Sequence, residues 1–249
     1  MPSLRETELR VAFLRSELER GLVEDVAVAL DELCGQAEQA DPRAREVLTA
    51  TVTALHDPAL AERIDTLREL ASERGLLSLG RMLRRRASQT SPPPPPDDDD
   101  RRLITSRTGR VLTLGERKSL ARQPTRAMLD KLIRDPHPQV IRMLLASPRI
   151  TETDVMRMAA SRPAYPEVIG EIARSPRWAT RIRVRMAIVQ NPGSPPDIAV
   201  PLLRLLIRPE LAQVVAAADV PAIVRAAAAE LLERRPPVPE KGGAGERPQ

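Results

Sequence analysis

Apolar residues recur along this chain at intervals of three and four, which gathers them on one face of an α-helix rather than alternating them across a strand. Leu14, Leu18 and Leu22 form one such stripe, and Val47, Leu48, Val52 and Leu55 form another. Stop and start signals divide the stripes. SLRE at Ser3–Glu6 matches a capping box, Asp41-Pro42 and Asp57-Pro58 each set an N-cap before a proline, and Gly21 and Gly75 suit helix ends. Helices are therefore expected near 5–20, 22–39, 42–56, 58–74 and 76–86.

Beyond residue 113 the pattern becomes periodic on a longer scale. Thr113–Glu116 (TLGE) is a capping box, and three stretches then end at Pro148, Pro192 and Pro236. Each holds three helical segments with a proline at both internal joints: Pro124 and Pro136, Pro163 and Pro176, Pro209 and Pro221. Proline breaks a helix interior but fits the first turn of the next helix, so these positions read as joints. A recurrence of 44 residues between unit ends is the length of a two- or three-helix repeat. Thr151 with Asp154, and Ser194 with Asp197, read as further caps. The third segments carry Val140, Met143 and Leu144, then Ile182, Met186 and Val189, then Ile223, Ala227 and Leu231, and are expected to be the inner helices.

Composition agrees with helix. Phe13, Tyr165 and Trp178 are the only aromatic residues, too few for a β-sandwich or barrel of 249 residues, whereas Leu, Ala, Arg and Glu favour helix. The expected fold class is all-α: an N-terminal helical bundle or short helical array (1–88), a polyproline-Asp linker (89–100), a short hairpin or extended cap (101–112), a basic C-terminal α-solenoid of about three three-helix repeats (113–235) and a disordered tail (236–249).

Charge is sorted by region more strongly than the net +5 suggests. Residues 1–88 hold 13 arginines and 16 acids, a net of −3, while 101–235 hold 24 basic residues and 12 acids, a net of +12. Of the 39 basic residues, 36 are arginine, whose planar fork grips carboxylates and phosphates.

The stretches LIRDPHPQVIRMLLASPRIT, AIVQNPGSPPDIAVPLL and VPAIVRAAAAELL resemble HEAT-type and leucine-rich-repeat-variant units, with an Asp-Pro joint, a Val-Arg pair opening an apolar helix and an Asn-Pro run. The likeness covers about residues 113–235, and Val224-Arg225 matches the pair strictly. It implies an α-solenoid with a face that recognises proteins, peptides or nucleic-acid backbones, and implies no catalytic residue.

The chemistry-bearing residues point away from catalysis. No Gly-rich phosphate loop, HExxH or GxSxG motif is present, and one cysteine (Cys34) with two histidines (His56, His137) makes a poor metal set, so no enzyme activity, metal or cofactor is expected. Both histidines abut proline joints and read as solvated, and Glu167 and Glu171 beside Arg174 read as surface charge. The opening MPSLRETELR is charged from Arg5, and apolar windows are broken by charge before a membrane span is reached, so a cytoplasmic protein without membrane insertion is expected.

The candidate binding residues are Arg142, Arg177, Trp178, Arg181, Arg183 and Arg185. Nine arginines face four acids between 142 and 185, and the four-residue spacing of Arg177, Arg181 and Arg185 would align them on one helix. An acidic protein surface is the expected partner and a nucleic-acid backbone the alternative, since few aromatics are available to stack bases. Arg142 and Arg225 could instead brace neighbouring units through Asp135 and Asp219.

Overall fold

The computed structural model describes residues 4–84, 104 and 109–236. Among these, fifteen α-helices and one 3-10 turn carry the structure with no regular strand, and the protein is all-α. Ser3, the Pro/Asp segment 89–100 and the tail beyond Pro236 lie outside the described residues.

The first five helices are α1 (Leu4–Arg20), α2 (Val23–Glu38), α3 (Pro42–Leu55), α4 (Ala61–Glu73) and α5 (Leu77–Met82). Their boundaries follow local backbone chemistry. The Asp41 side chain accepts from the Ala44 amide with Pro42 at the first helical position. Asp57 accepts from Ala59 and opens a 3-10 turn, Pro58–Leu60, so the helix expected over 58–74 begins at Ala61. α2 ends in a Schellman turn, Asp41 N to Gln36 O and Ala40 N to Ala37 O, with Ala40 at φ 66°, a conformation more often given to glycine. Gly75 does supply the positive φ after α4. Gly21 matters differently: a Cβ there would meet the Glu17 carbonyl and the Val26 side chain at 2.8 Å. Of the first stripe Leu18 is buried and Leu22 exposed; of the second, Leu48, Val52 and Leu55 are buried and Val47 exposed.

Beyond residue 113 the helices fall in threes between the unit-ending prolines. The first unit holds α6 (Leu114–Arg122), α7 (Arg126–Leu132) and α8 (Pro138–Ala146). The second holds α9 (Glu152–Ala159), α10 (Pro166–Arg174), and a third segment split into α11 (Pro176–Ala179) and α12 (Ile182–Val189). The third holds α13 (Pro196–Leu203), α14 (Arg208–Ala216) and α15 (Ala222–Arg234). The capping boxes at Thr113/Glu116 and Thr151/Asp154 form on both sides. Ser194 does not cap α13; its hydroxyl donates to the Ile188 carbonyl at 2.6 Å. Leu112 N donates to Ile104 O at 2.9 Å and Gly109 has φ 79°, a local return of the chain where a hairpin or cap was expected.

Packing proceeds from unit to unit: α6 on α8, α8 on α10, α9 on α12, α12 on α13, and both α13 and α14 on α15. In α12 the buried stripe is Val184, Arg185, Ile188 and Val189, while Ile182 is exposed and Met186 half-buried. The buried face of α12 is therefore turned from the expected Ile182, Met186 and Val189 stripe, with Val189 common to both.

Arginines stitch the layers together. Arg117 Nη1 reaches both oxygens of buried Asp135 at 2.7–2.8 Å, Arg126 grips Asp154 with two nitrogens, and Arg142 grips Glu171 likewise. The bracing thus exists with other partners than expected: Asp135 is held by Arg117, and Asp219 by Arg162 at 2.7 Å.

The first helices pack directly on the later ones. α1 and α3 contact α11, α10 contacts α3, and one hydrophobic core runs from Leu18 to Leu231. Three successive carbonyls at the end of α13 receive arginines: Arg204 O from Arg235, Leu205 O from Arg45 at 2.7 Å, and Leu206 O from Arg235. Such carbonyls have no intrahelical donor, and a cation suits that end of a helix dipole.

Candidate functional site

Residues of α1, which packs on α11, and of α8, α10 and α11 line an open cleft of about 560 Å³. Four arginines line it from four places in the chain: Arg15 on α1, Arg142 on α8, Arg174 at the end of α10 and Arg177 on α11. Three carboxylates join them, Glu8, Asp57 and Glu171.

Each guanidinium is positioned. Arg15 pairs with Asp57 at 2.9 Å. Arg142 donates through Nε and Nη2 to the two Glu171 oxygens at 2.9 and 2.7 Å, yet its side chain remains 60% exposed. Arg174 donates to Glu171 Oε1 at 2.8 Å and to the His56 carbonyl at 3.3 Å. It lies so close over Gly170 that a Cβ there would meet Arg174 Nη1 at 2.9 Å. Arg177 donates to the Ser147 carbonyl and sits 4.4 Å above the Trp178 ring, a cation–π contact. Glu171 is buried, not surface charge as its spacing suggested; burial alone would raise its carboxyl, but Arg142 and Arg174 hold it below the usual carboxylate range.

The structure redistributes the six expected binding residues. Arg142 and Arg177 meet in the cleft. Trp178 is buried, its indole Nε1 donating to the Leu145 carbonyl at 2.9 Å, so its ring supports Arg177 from beneath. Arg177, Arg181 and Arg185 do not share one helix: α11 ends at Ala179 and Arg181 caps α12. Arg181 is exposed and Arg185 buried. Arg183 faces a separate groove of about 520 Å³ with Met156, Met186, Arg162 and Glu210. Sequence reasoning missed Arg15, Glu8 and Asp57, since nothing local ties the acidic first half to a basic cleft.

His137 caps α8, its Nδ1 accepting from Gln139 N at 3.2 Å. His56 departs from the solvated reading: its ring nitrogens lie below the surface beside a second cavity that also borders Arg68, Arg174 and Asp197. Burial lowers its pKa from 6.5 to about 4, the Ile198 backbone opposing and the Arg174 charge adding to the fall. The folded chain holds this ring neutral where the unfolded chain would protonate it. Its contribution to stability is therefore complete above about pH 6.5 and is lost as pH falls towards 4. The displacement corresponds to about 3 kcal/mol. His56→Leu is expected to lose less stability than wild type between pH 7.5 and 4.5 in urea unfolding; equal losses would free His56 of this role.

Buried Cys34 contacts Met82 sulfur to sulfur at 3.4 Å, and burial pushes its thiol up to about 12. Among the described residues no group of three or more His, Cys, Asp and Glu side chains is placed to hold a metal, and no helix is long and apolar enough to cross a membrane. The chain matches no protein-family model, no curated protein and no solved structure.

Proposed function

We propose that this protein is a noncatalytic adaptor that binds an acidic protein surface in the arginine-lined cleft, with residues 113–235 acting as a HEAT-like α-solenoid. The observation that carries this reading is the convergence of Arg15, Arg142, Arg174 and Arg177 on one open cleft, where four guanidinium groups face three carboxylates. Here Arg142 keeps most of its surface in solvent while its geometry is fixed, so an incoming carboxylate meets a preorganised donor and loses less rotamer freedom on binding.

The test is a double variant, Arg15→Glu with Arg177→Glu, which reverses two cleft charges and leaves the Arg142–Glu171–Arg174 group intact. Its helical circular dichroism should match wild type, since an ion pair, a cation–π contact and one hydrogen bond to the Ser147 carbonyl are each worth only about 1 kcal/mol. Wild type should bind a fluorescein-labelled oligo-glutamate peptide at low salt, weakening as the screening length falls from about 10 Å at 0.1 M to about 3 Å at 1 M, and the variant should not bind. Equal binding by both proteins would remove the cleft from consideration. Tight binding of random-sequence duplex DNA at physiological salt, abolished in the variant and with a steep salt slope, would replace the acidic protein by a nucleic-acid backbone.

A further inference from the structure

The outer face of α1 carries two apolar side chains in solvent. Leu9 and Phe13 are each 64% exposed, and Phe13 is the only phenylalanine of the sequence. Leu9 stands nine residues before buried Leu18, two and a half turns at 3.6 residues per turn, so it points directly away from the core.

Both belong to a row of four exposed residues at four-residue spacing: Arg5, Leu9, Phe13 and Glu17. Positions four apart form one of the ridges along which helices pack. Among the described residues neither the Arg5 nor the Glu17 side chain has a hydrogen bond or an ion pair, whereas Arg10 holds Glu6 and Glu46, and Arg15 holds Asp57. Beside the row, Ala12 and Ser16 are small and border an open groove of about 440 Å³ with Thr53 and Ala54.

The order of the row identifies its complement. A cation and an anion stand at equal distances from an apolar pair, and Arg5 with Glu17, like Leu9 with Phe13, is centred on position 11. Turned end to end, the row meets itself: Arg5 faces Glu17, Leu9 faces Phe13, and each contact occurs twice about a two-fold axis. A partner of one charge sign would satisfy one end of the row and repel the other, whereas a second copy satisfies both.

We propose that α1 is a self-association surface, through which two copies of the chain pair with their first helices antiparallel. The Leu9 and Phe13 side chains of each copy settle against Ala12 and Ser16 of the other, and Arg5 of each pairs with Glu17 of the other. One helix a side is smaller than the about 800 Å² per partner of a standard interface, so a reversible dimer with a dissociation constant of roughly 10–100 µM is expected. This surface does not depend on what the arginine-lined cleft binds.

Sedimentation equilibrium of the full chain from about 5 to 500 µM reads the transition. Wild type should pass from monomer to dimer across this range. Leu9→Ser combined with Phe13→Ser should stay monomeric with unchanged helical circular dichroism, since both side chains already face solvent. Arg5→Glu and Glu17→Arg should each weaken the dimer about tenfold, because two attractive contacts become repulsive, while each new charge suits its own end of the helix dipole. Mixed in equal amounts, these two variants should pair with each other as tightly as wild type, since every facing pair is then opposite in sign. A chain monomeric across the whole range leaves this face to another protein and overturns the proposal. So does a dimer that survives loss of both apolar side chains, or single charge variants that gain nothing on mixing.

Discussion

Glu38→Ala is expected to destabilise the protein by about 3–5 kcal/mol, because it removes one partner of a buried charge group and leaves the others in place. Glu38 closes α2 at 4% exposure. One oxygen accepts from Arg204 Nη2 at 3.1 Å and the other from Arg81 Nη2 at 2.6 Å. Arg204 is 1% exposed and retains only the Ser78 carbonyl once Glu38 is gone. The pair spans 166 residues, so it fastens the first helices to the last unit. Urea unfolding followed by circular dichroism should show a large fall in midpoint, with Glu38→Gln intermediate because it keeps an acceptor without the charge. A loss no greater than that of exposed Glu73→Ala would mean that this seam contributes little to the fold.

Leu144→Ala should cost about 2–5 kcal/mol through lost burial and the cavity left in α8, lowering the thermal midpoint by roughly 5–20 °C. Leu144 is fully buried with α6 on one side of its helix and α10 on the other. Met186→Ala is the informative comparison. Its spacing suggested an equal place in the core, but Met186 is half-buried at the edge of the groove it shares with Arg183, and its loss should be clearly smaller. Equal effects of the two substitutions would restore the phase read from spacing alone.

Most helix starts were legible in the sequence because they depend on chemistry within about four residues, although Pro58 opens a 3-10 turn and the third segment of the second unit is split in two. Asp41-Pro42, the Thr113 and Thr151 capping boxes and Pro176 opening α11 each satisfy or dispense with backbone N–H groups that a helix start leaves unpaired, whereas α8 and α10 open at Pro138 and Pro166, two and three residues after the joint prolines Pro136 and Pro163. Part of the α8 and α15 stripes was legible too: Val140 and Leu144, and Ala227 and Leu231, are buried, with Met143 and Ile223 half-buried.

Only the tertiary structure decided what the arginines do. Spacing aligned Arg177, Arg181 and Arg185, but a helix break of two residues at Thr180–Arg181 separates them, and no local signal distinguishes that break from continued helix. A guanidinium on a long flexible stem finds its acceptor wherever packing brings one: Arg142 at Glu171, 29 residues on, and Arg45 at Leu205, 160 residues on. The cleft itself is assembled from α1 and from helices more than a hundred residues later, so its composition exists only once the two halves pack. Sequence thus determined the helices and their joints through short-range hydrogen bonding, and tertiary packing determined which charges are buried, which are paired and which remain facing solvent.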